Sequence, residues 1–447
     1  MDLWDGRTNE ARFGGYVEAL GLALGHADRI GPLKAYCTGL LLPGDRKSIE
    51  PIAARVEPSR VQAAHQSLHH FVAKAEWSDE AVLAVVRAQT LPAIERQGPL
   101  RAFIVDDTGF LKKGVHSVGV ARQYCGQIGK QDNCQIAVTL SIAGDHASLP
   151  IAYRLYLPEA WANDFERRAK AGVPDDVVFR TKPEIALDQL RGALAAGLPR
   201  HVVLADAGYG ADTAFRTQLT QIGLTYVVGV QSSISLWPAD AGPLPPKAWG
   251  GRGRPPSLMR RDPDRKPVSA KDLAKALPAS AWRTITWREG FNVRLTSRFA
   301  AVRIRPAHRD YWLSTPRPSE WLLVEWPQAE GEPIKYWLST LPENIALVDL
   351  VRQAKLRWRI ERDYQELKQE IGLGHYEGRG WRGFHHHATL AIAAYGFLVS
   401  ERGRIPPSDP KSAPFLKAPR LPKNYRPRGA ANPARTPRSQ LDRHSAN

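Results

Sequence analysis

Cysteine is scarce: Cys37, Cys125 and Cys134 are the only three in 447 residues. An odd count without C-x-x-C spacing excludes a disulfide framework and disfavours a zinc site, and it fits a reducing, cytoplasmic setting. No apolar run reaches the roughly 18 residues that a membrane-crossing helix requires, and the N-terminus has no signal-peptide pattern. No glycine-rich phosphate loop opens a helix after a strand, which argues against a dehydrogenase or small-molecule kinase. Acidic residues are also short. Asp and Glu number 45 against 62 Lys and Arg, a formal net charge of +17. So large an excess favours a polyanionic partner, and nucleic acid fits better than a membrane surface.

What is present is a globular chain, 43% hydrophobic, with ample length for a large core. Residues 1–98 read as a helical domain. Apolar positions recur at helical spacing over Arg12–Leu24 and Val61–Val72, and a Ser-Asp cap opens Ser78–Leu91. The turn Pro43-Gly44-Asp45-Arg46-Lys47-Ser48 places cations ahead of a helix, where they suit phosphate contacts or a solvated loop. His65, His69 and His70 lack acidic or thiol partners at ligand spacing, so metal binding there is disfavoured.

The pattern changes at Leu100. Arg101–Val105 is a buried-strand run ending in Asp106-Asp107-Thr108-Gly109. Strands are expected over Val115–Val120, Cys134–Ile142 and Leu149–Tyr156, a helix over Pro183–Ala196, a strand over His201–Ala205 ending at Asp206, a helix over Asp212–Gln221 and a strand over Thr225–Val230. This order predicts an α/β layer with a mixed sheet over 99–230. An insertion over 231–340 holds eight of the thirteen tryptophans and alternating segments that predict a small antiparallel sheet. It also contains Gly251-Arg252-Gly253-Arg254-Pro255-Pro256, which resembles a minor-groove AT-hook, although a basic loop is the favoured reading; Arg252 and Arg254 are candidate DNA contacts.

Leu350–Gly374 predicts one long helix stopped by Gly372, with Arg357, Glu361 and Lys368 on one stripe, within a second core segment over 341–400. His385-His386-His387 then opens an apolar helix, with the triplet expected in solvent. Residues 401–447 carry eleven Lys and Arg, three Asp and Glu and nine prolines, the composition of a disordered basic arm.

Asp107 and Asp206 thus sit at the ends of separate strands, and Glu361 on a helix far downstream. Three converging carboxylates without a neutralising partner repel, and burial sharpens the conflict. A pair of divalent cations resolves it, and all-oxygen ligation points to Mg²⁺, with Mn²⁺ as substitute. Two such ions suit phosphoryl transfer, with Arg357 and Lys368 holding neighbouring phosphates.

These residues resemble the DDE transposases of bacterial insertion sequences. Strand–Asp-Thr, strand–Asp and helix–Glu fit that family's RNase H-like core. Its Y-x2-R-x3-E-x6-K signature falls on Arg357, Glu361 and Lys368 with both internal spacings kept, and Ala354 stands where the family has Tyr. Tyr364 is a substitute one turn after Glu361. The acid-Asp-Thr pattern favours Asp107 over Asp106 as first ligand. Similarity extends to Leu42-Pro43-Gly44, Lys112-Lys113-Gly114 and Glu377-Gly378-Arg379. The resemblance implies an RNase H-like mixed-sheet α/β core with a β-rich insertion, cutting double-stranded DNA at terminal inverted repeats and joining it to target DNA. It also implies a homo-oligomer on DNA, associated with the bacterial nucleoid. A non-catalytic DNA-binding derivative, or a nuclease without strand transfer, are the alternatives.

Overall fold

A computed structural model describes residues 8–404 other than 263, 265 and 290–293. The basic arm expected over 401–447 therefore lies, from 405 on, outside the described residues.

Five helices come first: α1 (Asn9–Leu22), α2 (Ile30–Leu41), α3 (Ile49–Val56), α4 (Val61–Ala73) and α5 (Asp79–Glu95). Ser78 caps α5 through its hydroxyl, as its position before an acidic first turn predicts. Lys47 is not a loop cation in solvent. It is 4% exposed, and its ammonium donates to the Leu40 and Glu370 carbonyls. Carbonyls left free at helix ends attract such a cation.

The strands are β1 (Leu100–Leu111), β2 (Ala121–Cys125), β3 (Lys130–Gly144), β4 (Ser148–Leu155), β5 (Val202–Ala205), β6 (Tyr226–Val230), β7 (Ser235–Pro238), β8 (Val268–Ser269), β9 (Arg283–Glu289), β10 (Arg294–Pro306), β11 (Glu320–Trp326) and β12 (Lys335–Ser339). Val115–Val120, expected as a strand, is a turn region leading into β2. Among the described residues all twelve belong to one mixed sheet, ordered β2-β3-β1-β5-β6-β12-β11-β10-β7-β8, with β4 on β3 and β9 on β10. The strands of 231–340 do not form a sheet of their own: β12 pairs antiparallel with β6 and extends the core sheet.

Between β4 and β5 lie the short helices α6 (Glu159–Ala162) and α7 (Phe165–Ala171), then α8 (Lys182–Ala195), opened by a Thr181–Glu184 capping box. After β5 come α9 (Ala207–Gly210) and α10 (Thr213–Gln221), and α11 (Ala270–Ala276) follows β8. The long downstream helix is divided. α12 (Leu347–Leu356) stops at Arg357, α13 (Trp358–Glu366) resumes, and Leu367–Ile371 widens into a π turn ending at Gly372, φ +85°. A Cβ on Gly372 would lie 2.7 Å from the Lys47 Cβ, so both its backbone angle and its packing require glycine.

The histidine triplet lies on α14 (Trp381–Arg402) and corrects the expected solvent exposure: His386 and His387 are 2% and 1% exposed. His387 Nδ1 lies 2.8 Å from the Tyr36 hydroxyl, and its Nε2 is 3.2 Å from the Gly372 and Leu373 carbonyls. His386 faces the Val72 and Trp77 carbonyls and stacks on the Trp77 ring at 3.6 Å. The triplet therefore docks α14 against α2 and α4. No helix among the described residues is long and apolar enough to cross a membrane.

Candidate active site

β1 does not end at its acids. It pairs with β3 over its whole length, Asp106 opposite Thr139 and Asp107 opposite Val138, and only its other edge is lost. Parallel pairing with β5 covers Ala102–Ile104 and then stops, because β5 gives way at Asp206. The carboxylates thus stand where the parallel pairing of β1 with β5 runs out, beside the carboxyl end of β5, the kind of place where open α/β sheets put ligand crevices. The cleft there has a volume of about 580 Å³ and is lined by Asp106, Asp107, Asp206, Lys182 and Tyr209, among others.

Asp206 caps the short helix α9, its Oδ1 accepting from the Gly208 and Tyr209 amides at 2.9 and 3.3 Å. α9 packs so tightly on β6 that a Cβ on Gly210 would overlap the Gly229 carbonyl oxygen. That contact explains the glycine of Asp206-Ala207-Gly208-Tyr209-Gly210 and fixes where Asp206 begins its turn.

Neighbouring residues of a strand point to opposite faces, and the two acids of β1 have different partners. Asp106 accepts from Arg357 at 2.7 Å, and the same guanidinium meets Glu361 at 3.0 Å. Asp107 accepts from Lys182 at 2.5 Å and from the Tyr209 hydroxyl. The expectation had Asp107 beside Glu361; it is Asp106 that shares a cation with Glu361, because the alternating pleat turns Asp106 toward α13. The helix stripe also needs correction. Tyr364 is 8% exposed and faces Thr139 rather than the cleft.

Burial pushes the Asp106 carboxyl up to about 6; Arg357 opposes this, while Asp206 and Asp107 add to it. Burial works against the Arg357 charge, but Asp106, Glu361 and Asp206 outweigh it and hold its pKa above the ordinary value. Lys368 is not presented as a phosphate ligand. Its ammonium donates to the Gly109 carbonyl at 2.8 Å and lies 4.9 Å over the Phe110 ring. Burial lowers its pKa to about 8. Lys368 lies within the π turn Leu367–Ile371, where the regular helical spacing that defined the expected stripe no longer holds. Arg252 and Arg254 lie exposed on their loop, away from any acidic partner among the described residues.

Sequence reasoning missed Lys182 and Tyr209. The Thr181-x-x-Glu184 capping box marked the helix start that carries Lys182, but nothing local tied that lysine to Asp107. No three carboxylate, imidazole or thiol groups among the described residues close around one ion-sized point, since Arg357, Lys182 and Tyr209 hold the acids. The donor set nevertheless fits a hard divalent cation: the acids supply only oxygen, and Asp106, raised mainly by burial, also feels the charges of Asp206 and Asp107. Because the pairing with β5 stops at Ile104, the edge of β1 that carries Asp106 and Asp107 has no parallel neighbour there.

A family model described as "DDE superfamily endonuclease" matches residues 20–294, more than half of the chain. The match includes Asp106, Asp107 and Asp206 and ends before Glu361. Among curated proteins, a probable transposase for insertion sequence element IS701 from Microchaete diplosiphon is 32% identical over 169 residues. That alignment covers 38% of this chain and 41% of the relative, so the chain spans about two fifths of the protein it matches.

Proposed function

Because the chain belongs to the DDE superfamily endonuclease family, we propose that it is a transposase that cuts double-stranded DNA at the ends of an insertion sequence and joins the freed ends to target DNA. One observation carries the reading: Asp106, Asp107 and Asp206 line a single cleft, Arg357 joins Asp106 to Glu361 on the distant helix, and Lys182 and Tyr209 lie against Asp107. Asp107, Asp206 and Glu361 are the acids that would hold two Mg²⁺ ions, with Mn²⁺ as substitute. Bound divalent cations supply an acidified attacking oxygen and charge for the leaving one.

Asp106 acts as a positioning residue. It fixes Arg357, and Arg357 in turn bonds Glu361. Lys182, beside Asp107, meets the phosphate oxygens. Arg252 and Arg254 add backbone contacts at a distance from the reacting phosphate, and Lys368 secures the β1 segment that carries the acids. In the first step a water oxygen bonds to phosphorus and the 3′ oxygen leaves as a hydroxyl. In the second, that hydroxyl attacks a new phosphodiester and displaces its 3′ oxygen. No protein atom is covalently linked at either stage. The helical region up to residue 98 engages the transposon ends, the core over 99–230 and 341–400 carries the chemistry, and the chain works on the bacterial nucleoid as a homo-oligomer pairing two inverted repeats.

The test is cleavage of a supercoiled plasmid bearing the inverted repeats that flank the open reading frame. Asp107→Asn, Asp206→Asn and Glu361→Gln are expected to lower Mg²⁺-dependent cleavage by about 10³-fold or more, with end binding within a few-fold of wild type. An Asp206→Asn protein that still cuts at the wild-type rate overturns the assignment. Nicked but never joined products would make the chain a nuclease without strand transfer.

A further inference from the structure

A second hollow, of about 700 Å³, lies between the helical region and the segment following the π turn. Ser48 lines it as N-cap of α3, 5% exposed, yet its hydroxyl makes no hydrogen bond. The reason is local. A serine cap normally accepts from the second or third amide of its helix; the third residue here is Pro51, which has none, and the Glu50 amide makes no bond to the Ser48 hydroxyl. The amides of Ile49 and Glu50 open the same helix with no carbonyl one turn back to accept them. A buried, unpartnered hydroxyl and a helix N-terminus therefore face one space.

The rim is cationic. Lys74, Lys170 and Arg379 line it, and none has an acidic partner within ion-pair distance among the described residues. Two acids also line it: Glu377 is paired with Arg46, and Glu50 lies in the first turn of α3. We propose that a phosphodiester group of the DNA substrate seats in this hollow, accepting from the Ser48 hydroxyl and the α3 amides with Lys74, Lys170 and Arg379 around it. Helix N-termini favour such anions through oriented amides and dipole. The site is separate from the carboxylate cleft, and it rests on the DNA-processing reading above. It anchors the duplex by its backbone without reading bases.

The experiment is binding of a fluorescent duplex by the full chain across a salt series. The double variant Lys74→Glu/Arg379→Glu, both exposed side chains, is expected to weaken binding by about tenfold or more and to reduce the slope of log affinity on log salt by about two. Ser48→Ala is expected to weaken it several-fold with an unchanged thermal midpoint. Glu361→Gln in the same assay changes affinity by no more than a few-fold while abolishing cleavage, so the hollow reads out on affinity and the carboxylate cleft on cleavage. Wild-type affinity and slope in the double variant overturn the hollow alone, whereas a wild-type chain that binds no duplex overturns both readings. Calorimetry with inorganic phosphate separates the sources: saturable phosphate binding together with unaltered duplex affinity in the variants makes the occupant a free anion and ends the DNA assignment.

Discussion

Arg357 lies 2.7 Å from Asp106, a residue 251 positions earlier in the chain, and joins it to Glu361 one turn further on. Removing this cation leaves the Asp106 carboxyl with burial and two neighbouring acids, all of which raise its pKa above the present value of about 6. Arg357→Ala should therefore move the acid limb of the cleavage pH profile upward and raise the Mg²⁺ requirement. A profile superimposable on wild type would show that Arg357 does not govern the acid cluster.

Tyr209 links two of the acids of the cleft, donating its hydroxyl to Asp107 while its amide bonds to Asp206. Tyr209→Phe removes only the first link, and Lys182 still holds Asp107. The expected loss of stability is about 1 kcal/mol by urea denaturation, with a reduced cleavage rate and unchanged duplex binding.

Gly210→Ala has no room to be accommodated, since its methyl group would meet the Gly229 backbone carbonyl rather than a movable side chain. We expect a loss of about 2 kcal/mol or more, together with impaired cleavage as α9 and Asp206 shift. An unaltered unfolding midpoint would contradict the close approach of α9 to β6.

The buried histidines set the acid stability. Burial holds His387 down to about 4, and its hydrogen bonds suit a neutral ring, with the Tyr36 hydroxyl donating to Nδ1 and Nε2–H directed at backbone carbonyls. The unfolded chain takes up that proton near pH 6.5 and the folded chain only near 4. The contribution of His387 to stability is thus full above about pH 6.5 and falls as pH drops toward 4. Urea midpoints measured at stepped pH check the slope, and His387→Gln should make it shallower.

The positions of the acids were legible because apolar β-branched runs ending in Asp, and a helix carrying Glu between Arg and Lys, are local patterns. What the local pattern lacked was the facing side. The choice between Asp106 and Asp107 depends on pleat direction and on where β5 stops, which only strand pairing fixes. Lys368 was misplaced for a related reason, since regular helical spacing does not anticipate a π turn. The histidine triplet looked like a solvated helix start because its partners, Tyr36, Val72 and Trp77, lie more than 300 positions away. The 231–340 strands were foreseen, but their attachment to β6 is long-range and left no local trace.

That attachment gives the tryptophan-rich segment a mechanical role. From β12 the amide ladder passes to β6 and then to β5, whose last residue, Ala205, directly precedes Asp206. A pull on the outer strands is carried sideways, rung by rung, to the backbone from which that aspartate projects, so the far flank and the reaction centre move as parts of one woven panel.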